Sequence, residues 1–379
     1  MFPLNKGAAP RQAHVGIPAG LHEEEYGRNG FFGRATHLYH EHPPTAWSRI
    51  SGPLQPHALR VCDLVPADRD DPRGMPLTFL SNADVALRVS RRSQPMPFCY
   101  RNADSDDVYF VHRGAGRIET DFGPIEFEAG DYVVIPRGIT YRVVPSTTDN
   151  FFLVIESASE IRLPDKGMLG PHALFDPGVI RTPEPRPVRE DREWEVLIRR
   201  EGEFTSVWYP FHPLDVAAWK GDAVTWQVNV RDIRPVVSPR YHLPPSVHTT
   251  FLGHNFVICT FLPRPLEVED PEALRVPFYH RNIDFDEVIF YHDGDFFSRD
   301  GIKPGWVTFH PQGIHHGPHP KAVEAAKTKE RTDETAVMVD TKRQLRLTDE
   351  ARAASWDAYV ASWQAPGSSG VRPAPGQHR

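Results

Sequence analysis

Cysteine is scarce in this sequence, and its distribution excludes two common kinds of structural site. The three cysteines, Cys62, Cys99 and Cys259, lie far apart and form no C-x-x-C pair. Neither a disulfide framework nor a zinc ribbon is therefore predicted, and a reducing compartment fits the chain.

Long apolar runs and an excess of positive charge are also missing. Residues 1–20 contain no apolar h-region, and no segment has the roughly 20 apolar residues that a membrane helix needs. The net charge is −7, with acids and bases mixed along the chain, which argues against a nucleic-acid or anionic-membrane surface. We expect a cytoplasmic protein that binds neither nucleic acid nor membrane and whose partner is small.

The 379 residues exceed one ordinary domain, so two domains or two fused barrels are expected. The 38 prolines and 27 glycines favour short, stiff loops between strands. Alternating apolar patterns, such as VYFVHRG and VIFYHDG, predict short strands in two segments, at roughly 75–160 and 203–340.

An internal repeat is visible in these two segments. YRNADSDDVYFVHRG at 100–114 aligns without a gap with HRNIDFDEVIFYHDG at 280–294, an offset of 280 − 100 = 180. GDYVVIPRGITY at 130–141 aligns with GWVTFHPQGIHH at 305–316, an offset of 305 − 130 = 175. The repeat predicts a duplicated barrel.

Both pairs of segments resemble the two sequence motifs of the cupin family. The second motif, Gly305-x5-Pro311-x-Gly313-x2-His316, fits fully, whereas the first carries Asn282 where the family usually has a second histidine. The resemblance implies an all-β fold, a two-repeat cupin of jelly-roll barrels.

The repeat allows each candidate ligand in the second copy to be compared with the first. His280, Glu287 and His316 align with Tyr100, Asp107 and Tyr141, which offer no imidazole nitrogen. Two histidines and one carboxylate form the facial set that holds non-heme Fe(II) with open positions. A buried glutamate beside two histidines needs a compensating cation, so we predict a metal in the second barrel, where Mn, Ni or Zn also suits the ligands.

Other histidines have weaker grounds for a role. His310 takes the place of Ile135 in the repeat, which favours an inward-facing role beside the metal or substrate. His315 should face the other way from its neighbour His316. The THLYHEH cluster, with His37, His40 and His42, has ligand-like residues but no partner in the repeat, and we interpret it as fortuitous.

The second half also resembles homogentisate 1,2-dioxygenase, in PFYHRN at 277–282 and HHGP at 315–318, and GRNGFFGRATHLYHEHPPTAWSRI at 27–50 resembles that family's opening region. Two departures are an extra residue between His280 and Glu287, which places Asp286 at the usual spacing, and His315 in place of a proline. Because the x6-Gly294 spacing is kept, Glu287 is preferred to Asp286.

The resemblance implies a role for several residues. His280, Glu287 and His316 resemble iron ligands, and His242 resembles the acid/base histidine, with His248 and His254 nearby. Asn282 and His310, together with His316, resemble substrate contacts.

The implied activity is Fe(II)-dependent ring cleavage of a hydroquinone-type acid with O2, homogentisate giving maleylacetoacetate, by a homo-oligomer. Two alternatives stay open. One is a cupin dioxygenase for gentisate or another phenol, and the other is a non-catalytic, metal-binding bicupin.

The sequence also predicts how the chain is divided. LTDEARAASWDAYVASW predicts a helix that is capped by Thr348 and that docks through an apolar stripe containing Tyr359 and Trp363, and the tail from Ala365 is predicted to be disordered. The predicted units are an N-terminal region with a metal-free barrel (1–175), a Pro-rich linker (176–195), a metal-binding barrel (196–340), and the C-terminal helix with the tail (341–379).

Overall fold

The computed structural model describes residues 4–275, 278–299 and 301–363, and strands dominate this part of the chain. The strands are β1 (His22–Gly27), β2 (Ala35–His40), β3 (His57–Leu59), β4 (Leu77–Ser81), β5 (Val85–Ser90), β6 (Cys99–Asn102), β7 (Asp106–Arg113), β8 (Gly116–Thr120), β9 (Gly123–Phe127), β10 (Asp131–Ile135), β11 (Thr140–Pro145), β12 (Phe151–Ser157), β13 (Trp194–Arg200), β14 (Glu203–Tyr209), β15 (Trp226–Asn229), β16 (Thr249–Gly253), β17 (Phe256–Phe261), β18 (Tyr279–Asn282), β19 (Asp286–Asp295), β20 (Val307–His310), β21 (Asp333–Thr341) and β22 (Arg346–Leu347). The α-helices are α1 (Pro320–Ala326), α2 (Asp349–Ala353) and α3 (Ala358–Ala361). No helix in the described ranges is long and apolar enough to cross a membrane.

The first barrel consists of two sheets that enclose an aromatic and aliphatic core. One sheet has the order β15-β10-β7-β12-β5-β4-β22 and the other the order β14-β13-β6-β11-β8-β9. Burial alternates along strands such as β9, because successive side chains of a strand point to opposite faces. Tyr109, Tyr141 and Phe152 are among the buried residues between the sheets. The interior of this barrel is therefore filled by its own side chains.

The second barrel repeats this plan. A sheet of order β16-β17-β21-β19-β20-β3 faces the smaller sheet β18-β1-β2. An isolated bridge between His280 and His316 adds the segment after β20 to the smaller sheet. The predicted all-β fold with two repeated barrels is confirmed.

Equivalent residues of the two repeats meet where the barrels pack together. The rings of Phe110 and Phe290, 180 positions apart, are 6.1 Å from centroid to centroid. His112 and His292, also 180 positions apart, are joined by a hydrogen bond of 2.9 Å between their Nδ1 atoms. Contacts between identical positions are those of a two-fold axis. The repeats are thus related by a local two-fold axis, and one hydrophobic core spans both barrels.

Each repeat also lends an arm to the other barrel. The hairpin β1–β2 adds to β18 in parallel, and the hairpin β13–β14 adds to β6 in parallel. In the same way β3 pairs with β20 of the second barrel, whereas β15 pairs with β10 of the first. The two barrels are therefore joined by a reciprocal exchange of strands.

This exchange bears on the predicted division of the chain, whose boundaries stay predictions. Most of β13 and all of β15 fall within the predicted metal-binding barrel (196–340), but both strands pair with the first barrel. Residues 22–59 precede the first barrel, but their strands pair with the second. Local patterns predict a strand but carry no signal for so distant a partner.

The predicted C-terminal helix is present but interrupted. Thr348 caps α2 by accepting a hydrogen bond from the backbone N–H of Ala351. The chain then leaves the helix because Trp356 N–H donates to the Ala58 carbonyl at 2.8 Å and Ser355 bridges to Leu59 of β3. The predicted tail from Ala365 lies outside the described residues.

Candidate metal centre

The smaller and larger sheets of the second barrel bring three predicted ligands together. His280 lies on β18, Glu287 on β19, and His316 on the segment bridged to His280. All three are buried. Glu287 Oε2 is 3.5 Å from His280 Nε2 and 3.6 Å from His316 Nε2. The three side chains converge on a single point.

The imidazole rings of His280 and His316 are each held through one nitrogen, which leaves the other nitrogen without a hydrogen bond to any described residue. His280 Nδ1 contacts the Phe278 carbonyl at 3.1 Å, and His316 Nδ1 contacts the Ile314 carbonyl at 3.3 Å. A carbonyl only accepts, so each Nδ1 is the protonated nitrogen. Each buried Nε2 has no hydrogen-bond partner in the described chain. Two inward-facing lone pairs beside a carboxylate fit a cation.

The protonation states of the ligands also suit a cation. Burial lowers the pKa of His316 to about 4, so its ring is neutral near pH 7. Burial alone would raise the pKa of Glu287, but His316, the neighbouring ring of His280 and the hydrogen bond from His310 hold it well below its usual range. The site therefore offers the neutral nitrogen of His316 beside the anionic oxygen of Glu287, a combination that suits a divalent metal.

His310 lies on β20 directly behind the carboxylate. Its Nδ1 is 2.7 Å from Glu287 Oε1, and its Nε2 is 2.9 Å from the Tyr359 hydroxyl. Burial lowers the pKa of His310 to about 3. Both ring nitrogens are thus engaged by protein groups, so His310 orients Glu287. Its assignment as a substrate contact stays a prediction.

Tyr359 is a residue of this site that sequence reasoning missed. It lies on α3, is buried, and hydrogen-bonds His310. The apolar stripe that contains Tyr359 predicted only docking of a helix. No motif surrounds it, and its hydroxyl is the one polar feature that could have indicated a further contact.

Asn282 lies at the end of β18, next to His280. Its side chain is buried, and neither amide atom has a hydrogen-bond partner in the described ranges. Its neighbour on β1 is Gly27, whereas Asn102, its equivalent in the first barrel, pairs with Arg199. Arg199 bonds the Asn102 oxygen at 3.2 Å. The second barrel therefore leaves Asn282 available, and the role of Asn282 toward substrate stays a prediction.

His242 lines the same cavity as His280 and Glu287. Its Nδ1 is 3.1 Å from Glu267 Oε1, and both residues are buried. Burial lowers the pKa of His242 although Glu267 acts to raise it. His248 lines this cavity too, whereas His254 is exposed in the turn between β16 and β17. Of the three histidines considered, His242 has a carboxylate that fixes its ring.

The remaining cavity wall combines apolar and charged groups. The apolar side is formed by Phe261, Leu262, Phe278, Ala336 and Met338. Arg299 is a buried residue that also lines the cavity; its Nη2 is 4.0 Å from Glu287 Oε1 and its Nη1 donates to the Gly317 carbonyl. The cavity thus offers an apolar wall for a ring and a guanidinium for an anion.

The equivalent place in the first barrel is closed by phenols. Tyr141 donates to Asp107 at 2.9 Å, and Tyr109 and Tyr141 are joined at 3.0 Å. Asn102 donates to the other Asp107 oxygen at 2.7 Å. Burial raises the pKa of Asp107 to about 7. Here O–H and N–H donors satisfy the carboxylate.

Asp286 and His315 face away from the centre. Asp286 accepts hydrogen bonds from the backbone N–H groups of Gln312 and Leu345, at 2.8 and 2.6 Å. His315 Nε2 is 3.2 Å from Glu24 of the N-terminal hairpin. The geometry thus brings Glu287 rather than Asp286 to His280 and His316, the two candidate ligand histidines.

Two family models match the chain. The model described as homogentisate 1,2-dioxygenase N-terminal matches residues 80–230, and the C-terminal model matches residues 242–368. A protein of Saccharolobus solfataricus described as "Putative dioxygenase SSO1533" is 33% identical over 385 residues, 96% of this chain and 99% of the relative.

Homogentisate 1,2-dioxygenases are more distant relatives. That of Nitrobacter hamburgensis is 28% identical over 70% of this chain, and the match spans 62% of its own length. That of Rhizobium johnstonii is 28% identical over 82% of this chain and 75% of its own length. Among solved structures, a cupin 2 conserved barrel domain protein from Leptotrichia buccalis has a TM-score of 0.33 at 13% identity, covering 71% of this chain and 88% of its own.

Proposed function

Because the chain belongs to the homogentisate 1,2-dioxygenase family, we propose that it is an Fe(II)-dependent dioxygenase that opens the ring of a hydroquinone-type aromatic acid, homogentisate first among them. The observation that carries the proposal is the pair of unpartnered Nε2 atoms facing Glu287 in a cavity shared with His242. The reaction adds both atoms of O2 to the ring and gives maleylacetoacetate.

His280, Glu287 and His316 would hold the iron. When bound there, Fe(II) supplies the redox chemistry that brings dioxygen and a phenol into reaction. His310 and Tyr359 keep Glu287 in place. His310 Nδ1–H donates a hydrogen bond to Glu287 Oε1, so that Oε2 is the oxygen that faces His280 and His316. The protein thereby fixes the position of the charge that the cation needs.

His242 would remove a proton from a ring hydroxyl. Its Nδ1–H donates to Glu267, so Nε2 is the basic atom that receives the proton. The lowered pKa of His242 keeps this ring neutral near pH 7, as a base must be, and Glu267 stabilises the imidazolium that forms. The pair works in the same way as other histidine–carboxylate bases.

Arg299 would bind the carboxylate of the substrate. It is buried in the cavity and its Nε has no hydrogen-bond partner in the described residues. A fixed guanidinium in the same cavity as the apolar residues would orient the ring and so decide which carbon reacts. The phenyl ring would lie against Phe261 and Phe278.

The test is oxygen uptake by protein loaded anaerobically with Fe(II) and given homogentisate, with gentisate in parallel, while the absorbance of the ring-opened product is followed. Uptake with homogentisate supports iron, reaction and substrate together. Uptake with gentisate alone would support the ring-cleaving chemistry but change the proposed substrate. This outcome is a real alternative, because the match spans only 62% of the length of the homogentisate 1,2-dioxygenase of Nitrobacter hamburgensis. Metal binding without uptake from any phenol would overturn the enzyme proposal in favour of a non-catalytic bicupin.

A further inference from the structure

A second group of ligand-type side chains lies beside the metal centre. His14, Glu25 and His37 bring one ligand atom each within 4.8 Å of one another, as do His280, Glu287 and His316 elsewhere in the described chain. Glu25 on β1 is paired with His37 on β2 and with His280 on β18. We call His14, Glu25 and His37 the arm triad, because Glu25 and His37 lie on the hairpin β1–β2 and His14 lies just before it.

The separations in the arm triad suit a shared cation. His37 Nε2 and Glu25 Oε2 are 3.2 Å apart. Two atoms that bind one tetrahedral zinc at 2.0–2.1 Å stand about 3.3 Å from each other. The distance between His37 and Glu25 is thus close to the distance expected between two zinc ligands. The distance of 3.5 Å between His280 and Glu287 is similarly close to it.

His14 is held in the orientation of a ligand. Its Nδ1 is 2.6 Å from Glu23 Oε1, and its backbone N–H donates to Glu23 Oε2 at 3.1 Å. Tyr39 donates to the same carboxylate at 3.0 Å. A histidine that binds metal through one nitrogen usually donates the other to a carboxylate, which leaves Nε2 of His14 for a cation.

The backbone at His14 is strained, which agrees with a fixed placement. Its φ is 66°, in the left-handed region that a residue with a Cβ adopts at a cost of about 1 kcal/mol. The His14 carbonyl accepts from Leu274 N–H at 2.8 Å, and the His14 ring stacks on Phe278 at 4.4 Å. Neighbouring residues therefore hold the ring in spite of the strain.

The charge of the site also indicates a cation. The side chains of Glu23 and Glu25 are 0% and 9% exposed, and they pair with His14 and His37. An imidazole balances a carboxylate only when it is protonated, whereas a divalent cation would balance both carboxylates at once. An ion-pair cluster without metal is the competing arrangement.

The first barrel provides an internal comparison. The hairpin β13–β14 takes the place of β1–β2 there, and Leu197 paired with Ser206 occupies the positions of Glu25 and His37. Neither residue is a ligand of a cation such as Zn²⁺. The arm triad thus occurs on the barrel that holds Glu287 and is replaced on the other.

We propose that His14, Glu25 and His37 bind a second divalent cation of the Zn²⁺ type, separated from the first site by the ring of Phe278. That ring is 4.4 Å from His14 and 5.7 Å from His280, centroid to centroid. Three protein ligands leave a fourth position open to water. The cation fastens the arm onto the barrel that carries the Glu287 centre.

The test is the number of Zn²⁺ ions bound by the full chain after chelator treatment and dialysis against Zn²⁺, measured by plasma mass spectrometry. Two ions per chain are expected. His37→Ser, which copies Ser206 of the first barrel, should retain one ion, Glu287→Gln should retain the other, and the double variant should retain none. Co²⁺ in place of Zn²⁺ should give two absorption signatures, one lost in each variant.

His40→Ser is the matched control, because His40 lies on the same strand and bonds Glu24, which faces the opposite side of the sheet from Glu25. It should retain two ions. If His37→Ser does not fold, Glu25→Gln removes a ligand with no change of shape and should likewise retain one ion. The proposal is overturned if wild type binds one ion that Glu287→Gln removes, or if both arm variants keep two.

Discussion

The same carboxylate position is used in opposite ways by the two barrels. Asp107 accepts from the hydroxyl of Tyr141, whereas Glu287 faces the bare nitrogens of His280 and His316. A donor satisfies a buried carboxylate, but a lone pair does not. Replacing a phenol by an imidazole therefore turns a closed hydrogen-bond network into a site that needs a cation.

This difference predicts opposite outcomes for two matched substitutions. Glu287→Gln keeps the shape but loses the charge, so the affinity of the Glu287 site for Zn²⁺ should fall by more than about 100-fold, measured by titration with Zn²⁺. Asp107→Asn in the first barrel should leave the affinity unchanged. Loss of the Glu287 site in Asp107→Asn, with that same site retained in Glu287→Gln, would contradict the assignment.

His242→Ala should separate catalysis from metal binding. Without the base, turnover with homogentisate should drop by about 10²–10⁴ while bound iron is retained. Burial lowers the pKa of His242, so the acid limb of kcat/KM in the wild type should lie below the ordinary histidine value of 6.5. His254→Ala, at an exposed turn, should change neither, and a wild-type rate in His242→Ala would exclude His242 as the base.

Tyr359→Phe should weaken metal binding although Tyr359 is not a ligand. His310 would lose its partner at Nε2, and residues that orient a ligand are commonly worth about 10–100-fold in metal affinity. Tyr132→Phe is the control, since it also removes a buried hydroxyl bond, that to Thr260. Both variants should lose about 1 kcal/mol of stability, but only Tyr359→Phe should lose metal.

At the scale of elements, the predictable features are those with a local signal. The strands that carry His280 and Glu287, and the bridged segment that carries His316, follow from two motifs with fixed spacing, and the duplicated barrel follows from the repeat. The exchanged hairpins and the interrupted helix were not predictable from local patterns, because each depends on a contact between residues far apart in the sequence. β1 pairs with β18, and the backbone N–H of Trp356 donates to the carbonyl of Ala58. Tyr359 was missed for the same reason.

The exchanged arm β13 should be fastened by Arg199. The Nη1 and Nη2 atoms of Arg199 donate hydrogen bonds to the carboxylate of Glu156 at 2.9 and 2.8 Å, and both residues are largely buried. Arg199→Met should leave part of the Glu156 charge uncompensated and lower the free energy of unfolding by about 3–5 kcal/mol in urea. Arg200→Met, at a neighbouring position 79% exposed, should stay within about 0.5 kcal/mol. Equal effects would argue against a fastening role.

At the scale of the whole molecule, the contact between barrels should be sensitive to acid. Burial and His292 lower the pKa of His112 from 6.5 to about 3. The folded state then binds fewer protons than the unfolded state between these values, so stability is present above pH 6.5 and is lost as pH falls toward 3. At pH 5 this residue alone should cost about 2 kcal/mol.

Urea unfolding at pH 7 and pH 5 checks this expectation. His112→Gln keeps a hydrogen-bonding side chain that does not titrate, so its loss of stability between the two pH values should be smaller than that of the wild type. His172→Gln, at a side chain 72% exposed, should behave as the wild type does. If His112→Gln lost as much stability between pH 7 and pH 5 as the wild type, protonation of His112 would not be a cause of the acid sensitivity.

The exchanged arms also set an order of events during synthesis. Glu25 on β1 pairs with His280 on β18, which is made 280 − 25 = 255 residues later. At about 5–20 residues per second, the first hairpin leaves the ribosome some 13–50 s before its partner strand exists. During this time the hairpin β1–β2 must not pair with the unpaired edges of other strands. This half of the protein therefore completes its folding only near the end of translation.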